Sequence, residues 1–242
     1  MRLFILVVAL RIFADAKVMQ KMQMDYIDWG KIRYEEAWHR QQQLFDERLA
    51  QKRLHDGDNS LPDCLVACEH YPVLTLGKSG QPANLLVSRQ LLASRGVEYF
   101  PVDRGGDITF HGPGQIVMYP IFDLAHYGIG LREYIFRIEE AVIRFLQDFG
   151  LQGERLAGAT GVWLEPHTAR ARKICAIGVK SSRYVTMHGL ALNINTDLSY
   201  FSMINPCGFT DKGVTSLQRE LGAAQDFEAC KLRLRDKFVE LF

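Results

Sequence analysis

The sequence contains no Cys-x-x-Cys pair, almost no net charge, no apolar stretch of bilayer length and no internal repeat. Each absence removes a class of answer. Its five cysteines, Cys64, Cys68, Cys175, Cys207 and Cys230, are an odd number in 242 residues. That does not build a secreted disulfide framework and points to a reducing compartment. Lys plus Arg number 29 against 28 Asp plus Glu, a formal charge of +1, so no global field draws nucleic acid or an anionic membrane. A local basic patch for an acidic partner stays open. Cys64, Cys68 and His70 have no second ligand pair, and their stretch alternates like a strand, so core packing is expected of them and no metal site. Without a Pro/Gly/Ser linker, a chain with 48% hydrophobic residues reads as one domain, residues 24–242, behind an extension of residues 1–23. The apolar run Leu3–Leu10 is far short of the ~20 residues of a membrane span and marginal as a secretory signal. An upstream start codon is the other reading, since Met19, Met22 and Met24 follow. The expectation is a dispensable extension on a cytoplasmic protein without stable membrane association.

Hydrophobic periodicity gives the coarse order of elements. A short strand is expected around Tyr26-Ile27, then an amphipathic helix from Lys31 to Arg53 with Ala37, Leu44, Phe45 and Leu49 on one face. Cys64–Glu69, Val73–Leu76, Val97–Val102 and Gln115–Phe122 read as strands. Ser88 is placed to cap a short helix ending at Gly96. Leu131 to Phe149 is the clearest helix, stopped by Gly150. Strands joined by short polar turns such as Lys180-Ser181-Ser182-Arg183 fill Gly161 to Asn195, and Asp226 opens a terminal helix. Strands outnumber helices and lie close enough for hairpins, so the fold class is α+β with a mixed, largely antiparallel sheet flanked by helices.

Four segments carry chemistry. Cys207 sits between Pro206 and Gly208, which favours a defined turn that presents the thiol; most cysteines of intracellular enzymes are nevertheless structural. The run Arg104-Gly105-Gly106-Asp107-Ile108-Thr109-Phe110-His111-Gly112-Pro113-Gly114-Gln115 holds four glycines among polar groups. It has neither the Gly-Lys-Ser/Thr of a phosphate loop nor the spacing of a dinucleotide fingerprint. It reads equally as two turns flanking a strand or as a loop whose backbone meets a ligand. Lys173 heads an apolar strand, with Gly178 five residues on; it is either a solvated edge lysine or a cation that favours a nearby thiolate. His188 either bonds backbone or substrate, or serves as a base to a thiol.

Taken together, Arg104–Gln115, Lys173-Ile-Cys-Ala-Ile-Gly178, His188-Gly-Leu-Ala-Leu-Asn193 and Asn205-Pro-Cys-Gly208 resemble the lipoyl(octanoyl) transferases, the LipB family. Glu69–Gly77 and Ala83–Leu86 are also similar to that family, so the likeness runs from about Met24 to Leu217, with no departure at the functional positions. The resemblance implies the fold of the biotin and lipoate ligases. It also implies transfer of an octanoyl group from octanoyl-acyl carrier protein to one lysine of a lipoyl domain, in 2-oxoacid dehydrogenase E2 subunits and the glycine cleavage H protein. No cofactor is implied. By similarity Cys207 carries the acyl group as a thioester and Lys173 lowers its pKa and moves protons. Substrate contacts carry over to Arg104, Gly105, Gly106, Asp107, Ile108, Thr109, Phe110 and His111, to Ala176, Ile177 and Gly178, and to Gly189, Leu190 and Ala191. Ile177, Leu190 and Leu192 are expected to line an acyl channel, with backbone N–H groups near Gly106 or Gly178 as oxyanion donors. The rival is an ATP-dependent lipoate or biotin ligase, which activates a free acid and needs no cysteine. An acidic partner calls for a basic rim, for which Lys78, Arg104, Lys180 and Arg183 are candidates, or else ordinary solvated charges.

Overall fold

The computed structural model describes residues 24–57, 59–205 and 212–242. Eleven strands and five α-helices are found among them. The strands are β1 (Met24–Ile32), β2 (Asp63–His70), β3 (Val73–Leu76), β4 (Glu98–Pro101), β5 (Ile108–His111), β6 (Gln115–Ile121), β7 (Glu154–Arg155), β8 (Gly161–Leu164), β9 (Arg172–Ser182), β10 (Val185–Asn193) and β11 (Gly213–Val214). The helices are α1 (Tyr34–Leu54), α2 (Arg89–Ser94), α3 (Leu131–Gln147), α4 (Leu217–Leu221) and α5 (Phe227–Leu241). The larger sheet runs β1-β2-β6-β10-β9-β8-β7 with β11 added beside β9, and a smaller one runs β4-β3-β5. Only β1/β2, β3/β4 and β9/β11 pair in parallel. The largely antiparallel α+β expectation therefore holds.

Strict alternation makes the larger sheet two-faced. Leu65 and Ala67 of β2 and Ile116 and Met118 of β6 meet Tyr134, Ile138, Val142 and Phe145 of α3 and Leu234 and Phe238 of α5 in the main core. Their neighbours Cys64, Val66 and Cys68, with Val117, Tyr119 and Ile121, point to the other face, where Ala37 of α1 covers them. Cys64, Cys68 and His70 are thus core residues of one strand. No helix of the described residues is long and apolar enough to cross a membrane.

Local signals placed most ends well. Ser88 accepts from the Leu91 N–H and Asp226 from the Ala229 N–H, the caps that stop helical donors from being orphaned. Two expectations shift. The first helix starts at Tyr34, not Lys31, because Ile32 is still paired with His70 in β1. Lys180–Ser182 belong to β9; the hairpin turns at Arg183-Tyr184, both at positive φ (49° and 69°). A two-residue turn needs that conformation, and Asn-Gly usually announces it. Here neither residue does.

The buried stripe of α1 is not purely apolar: Gln41, Arg48 and Lys52 are buried with Ala37, Phe45 and Leu49. Each is placed by a specific partner. Arg48 donates to Leu44 O, Pro62 O and Cys64 Sγ, and Lys52 Nζ pairs with Asp123 at 2.6 Å. Gln41 Oε1 accepts the His188 N–H at 3.1 Å, which ties α1 to β10.

Candidate active site

A cavity of about 270 Å³ lies between the α1 face of the larger sheet and the smaller sheet. Gln115, Val117 and Tyr119 of β6, Ala191 and Asn193 of β10 and Tyr34 of α1 form one wall; Ile108, Thr109 and His111 of β5 and the preceding loop form the other. Its volume sits near the lower end of ligand pockets, ~300–1,000 Å³, and suits a narrow ligand.

The glycine-rich loop is held by its own arginine. Arg104 is only 7% exposed and donates through Nη2 to Thr75 O at 2.7 Å and Thr75 Oγ1 at 2.8 Å, and through Nη1 to Gly105 O. It faces the cavity as a buried clamp and is no part of a solvent-facing rim. Gly105 donates to Val179 O at 2.9 Å, which lays the loop across β9. Gly178 makes that approach possible: a Cβ there would lie 2.7 Å from Gly105 O and 3.1 Å from Arg104 Cδ. The glycine spacing in this strand thus serves the approach of two backbones. Asp107 takes the Ile108 N–H on one oxygen and the Asn84 side-chain amide on the other.

The histidines are fixed by networks. Asn193 Nδ2 donates to Thr215 O at 3.0 Å, so its Oδ1 accepts from Gln115 Nε2 at 2.9 Å. Gln115 Oε1 in turn accepts from His111 Nδ1–H at 2.9 Å. His111 Nε2 is therefore unprotonated and accepts from the Thr75 hydroxyl at 3.4 Å, and burial holds its pKa well below the ordinary value. His70 donates to Ile32 O and accepts from Tyr119 Oη at 2.6 Å; burial lowers its pKa to about 4. His188 lines the cavity at φ 61° and donates Nε2–H to Asp103 Oδ1 at 2.9 Å. Lys180 grips the other Asp103 oxygen at 2.6 Å. Burial depresses the His188 pKa in spite of that carboxylate. The His188 and Lys180 hydrogen bonds hold Asp103 far below the usual carboxylate range. Lys180 is thus engaged in an ion pair, while Lys78 and Arg183 are exposed.

Lys173 stands at the other end of β9. Its Nζ donates to Thr160 O at 3.2 Å and lies 4.7 Å from the Trp163 ring centre. Gly158, Ala159 and Thr160 join it in lining the cavity. Cys207 lies outside the described residues. On either side of it, Phe201 and Val214 line the cavity, and Val214 pairs in register with Lys173.

Of the residues singled out from sequence, Arg104, Gly106, Asp107, Ile108, Thr109, His111, Lys173, Ala176, Ile177, Gly178, Gly189, Leu190 and Ala191 line this one cavity. Phe110 does not: it packs with Leu74, Ile108 and Met203 and stacks on Tyr200 at 4.5 Å. Gly105 shapes the loop without lining the cavity, and Leu192 faces the main core. Tyr34, Gln115, Tyr119, Thr160 and Asn193 were missed. Gln115 and Asn193 carried a signal, polar amides inside otherwise apolar strands that had to be paired once buried. Tyr34 and Thr160 carried none.

The model of the lipoyl protein ligase A/B catalytic domain matches residues 33–239. An octanoyltransferase of Parabacteroides distasonis is 58% identical over 218 residues, 90% of this chain and 97% of that protein. One from Bacteroides fragilis is 55% identical over 207 residues, 86% of this chain and 92% of that protein. A bipartite lipoate protein ligase of Thermoplasma acidophilum has the same fold, with a TM-score of 0.63 at 14% identity over 90% of this chain and 84% of that one. With most of its length inside the family model, and more than half its residues shared with a relative matched almost end to end, the chain belongs to the lipoyl protein ligase A/B catalytic domain family.

Proposed function

We propose that this chain is an octanoyltransferase that takes the acyl group from octanoyl-acyl carrier protein onto Cys207 and passes it to a lysine of a lipoyl domain. The acceptors are the lipoyl domains of 2-oxoacid dehydrogenase E2 subunits and the glycine cleavage H protein. The observation that carries this reading is that Lys173 and six of the eight residues of the Arg104–His111 segment line one cavity, which Phe201 and Val214, on either side of Cys207 in the chain, also line. The names of the close relatives agree with it.

In the first half-reaction the Cys207 thiolate attacks the thioester carbonyl, the carrier's C–S bond breaks, and the carrier's sulfur leaves as a thiol with the proton that cationic Lys173 gives up. One thioester replaces another, so the step is nearly balanced in energy. A cationic Lys173 close to that sulfur favours the thiolate. The cavity removes the acyl chain from water, and seven methylene-sized units contribute roughly 0.8 kcal/mol each before ordering costs. Ile177, Leu190 and Ala191 supply apolar wall, and Gly106 and Gly178 are candidate backbone donors to the oxyanion. In the second half-reaction a neutral lysine amine attacks acyl-Cys207, an amide forms as the thioester C–S bond breaks and Cys207 leaves as thiolate, and Lys173 as free amine takes the proton the attacking amine releases. The protein acts in the cytoplasm, in keeping with four described cysteines that are all buried free thiols.

Mass spectrometry after incubation with octanoyl-acyl carrier protein, without ATP, is the test. Cys207 is expected to gain one octanoyl group that a lipoyl domain then removes. Transfer that strictly requires ATP, or active enzyme with Cys207 unmodified throughout, would favour the ligase reading.

A further inference from the structure

Beside the cavity runs a second, open groove of about 850 Å³ between the start of α3 and the Leu156–Thr160 loop. Its floor includes Leu131 and Phe136, 42% and 47% exposed, and Ile135 between them. Leu131, Ile135 and Phe136 thus form an apolar strip beside the reaction cavity, with the Arg155 guanidinium against the Phe136 ring. The two spaces are continuous at Gly158 and Thr160, which line both. Thr160 is also the residue whose carbonyl holds Lys173 Nζ.

Charge fixes the character of the far end. Glu139 is turned inward, accepting the Gly161 N–H and Arg155 Nε. Arg155 is spent on Glu139 and Glu140 while its guanidinium lies 3.7 Å from the Phe136 ring centre. Arg132 is exposed and has no ion-pair partner among the described residues. The groove therefore starts at the Lys173 end of the cavity, passes over apolar side chains and ends at an uncompensated cation. Arg132 lies seven residues before Glu139 on α3, ~10 Å along the helix.

We propose that this groove seats the prosthetic arm of the acyl donor, an extended amide chain that carries the thioester at one end and a phosphate at the other. This rests on the transferase reading above and adds where the donor lies. The thioester enters past Gly158–Thr160, the arm's methyl and methylene groups cover Leu131 and Phe136, and the phosphate meets Arg132. An amine acceptor has no such anionic arm, so the groove separates donor from acceptor.

The test compares octanoyl-4′-phosphopantetheine with octanoyl-pantetheine as soluble donors, for the full chain and for Arg132→Glu. An acidic residue in the first turn of a helix suits its dipole, so this variant keeps the fold. The unaltered protein is expected to prefer the phosphorylated donor by about tenfold in kcat/KM, with the difference in KM. Arg132→Glu should abolish that preference while keeping the pantetheine rate within twofold. Leu131→Gln should raise KM for both donors and leave their ratio alone. The proposal is overturned if the unaltered protein shows no phosphate preference, or if Arg132→Glu keeps it. It is also overturned if Arg132→Glu slows only the transfer from acyl-enzyme to lipoyl domain, which would give the groove to the acceptor. Failure to find acyl-Cys207 would refute the covalent mechanism alone, because donor preference is still read in overall transfer.

Discussion

Replacing Gly178 by alanine is the sharpest probe of how β9 shapes the cavity. The added Cβ would stand 2.7 Å from Gly105 O and 3.1 Å from Arg104 Cδ. The carbonyl oxygen is backbone, held where Gly105 donates to Val179 O, and cannot swing aside as a side-chain tip would. Relief requires the Arg104–Asp107 loop to lift by roughly half an ångström or more, and overpacking of this kind costs about 1–3 kcal/mol. For a chain of this size each kcal/mol lowers Tm by roughly 2–4 °C. The functional effect should exceed the stability effect, because the moved loop is cavity wall and a 1 Å misplacement of a reactant can cost ~100-fold. Gly105→Ala is the control: its Cβ would meet Val179 O at 3.4 Å, at the edge of ordinary contact. The expected outcome is a Tm loss of several degrees and at least a tenfold slower acyl-enzyme formation for Gly178→Ala, with Gly105→Ala mild in both. Thermal unfolding and single-turnover acylation read the two effects. Wild-type behaviour of Gly178→Ala, or equal damage from both substitutions, would refute the close-approach argument.

Other perturbations give equally definite outcomes. Lys173→Met should slow acylation of Cys207 by about 10²–10⁴-fold, the span of a positioned acid–base group, while thermal unfolding changes little; wild-type acylation in a rapid-quench experiment would remove Lys173 from the first step. His70 is held neutral, with a folded pKa of about 4 against an ordinary 6.5, so the unfolded chain binds its proton first as pH falls. Its contribution to stability is complete above pH 6.5 and lost progressively between pH 6.5 and 4. From this residue alone, urea unfolding should show about 2 kcal/mol less stability at pH 5 than at pH 7, and His70→Gln should flatten that slope. Phe145→Ala empties a fully buried position between α3 and the sheet and should cost about 3–5 kcal/mol in the same assay without a matching loss of specific activity per folded molecule.

What the sequence determined by itself was whatever local physics enforces. The alternating stretch of β2, the β-branched and aromatic residues of β6 and the helical repeat of α3 announce their elements, and Ser88 and Asp226 cap helices with their own side chains. The resemblance carried by four short motifs gave the family. Where the described motifs meet was decided by tertiary structure alone. Lys173 and Arg104 are far apart in the chain, and only the sheet order β6-β10-β9, with the smaller sheet laid over it, puts both on one cavity. Burial also reassigned residues that look alike in sequence. Arg104 became a clamp on Thr75 instead of a surface charge, Lys180 a partner of Asp103, and Phe110 a core side chain inside a motif most of whose other side chains line the cavity. A charged or aromatic residue has the same composition in water and in a core. Its role follows from which partners the fold brings within hydrogen-bonding reach, and those come from distant strands.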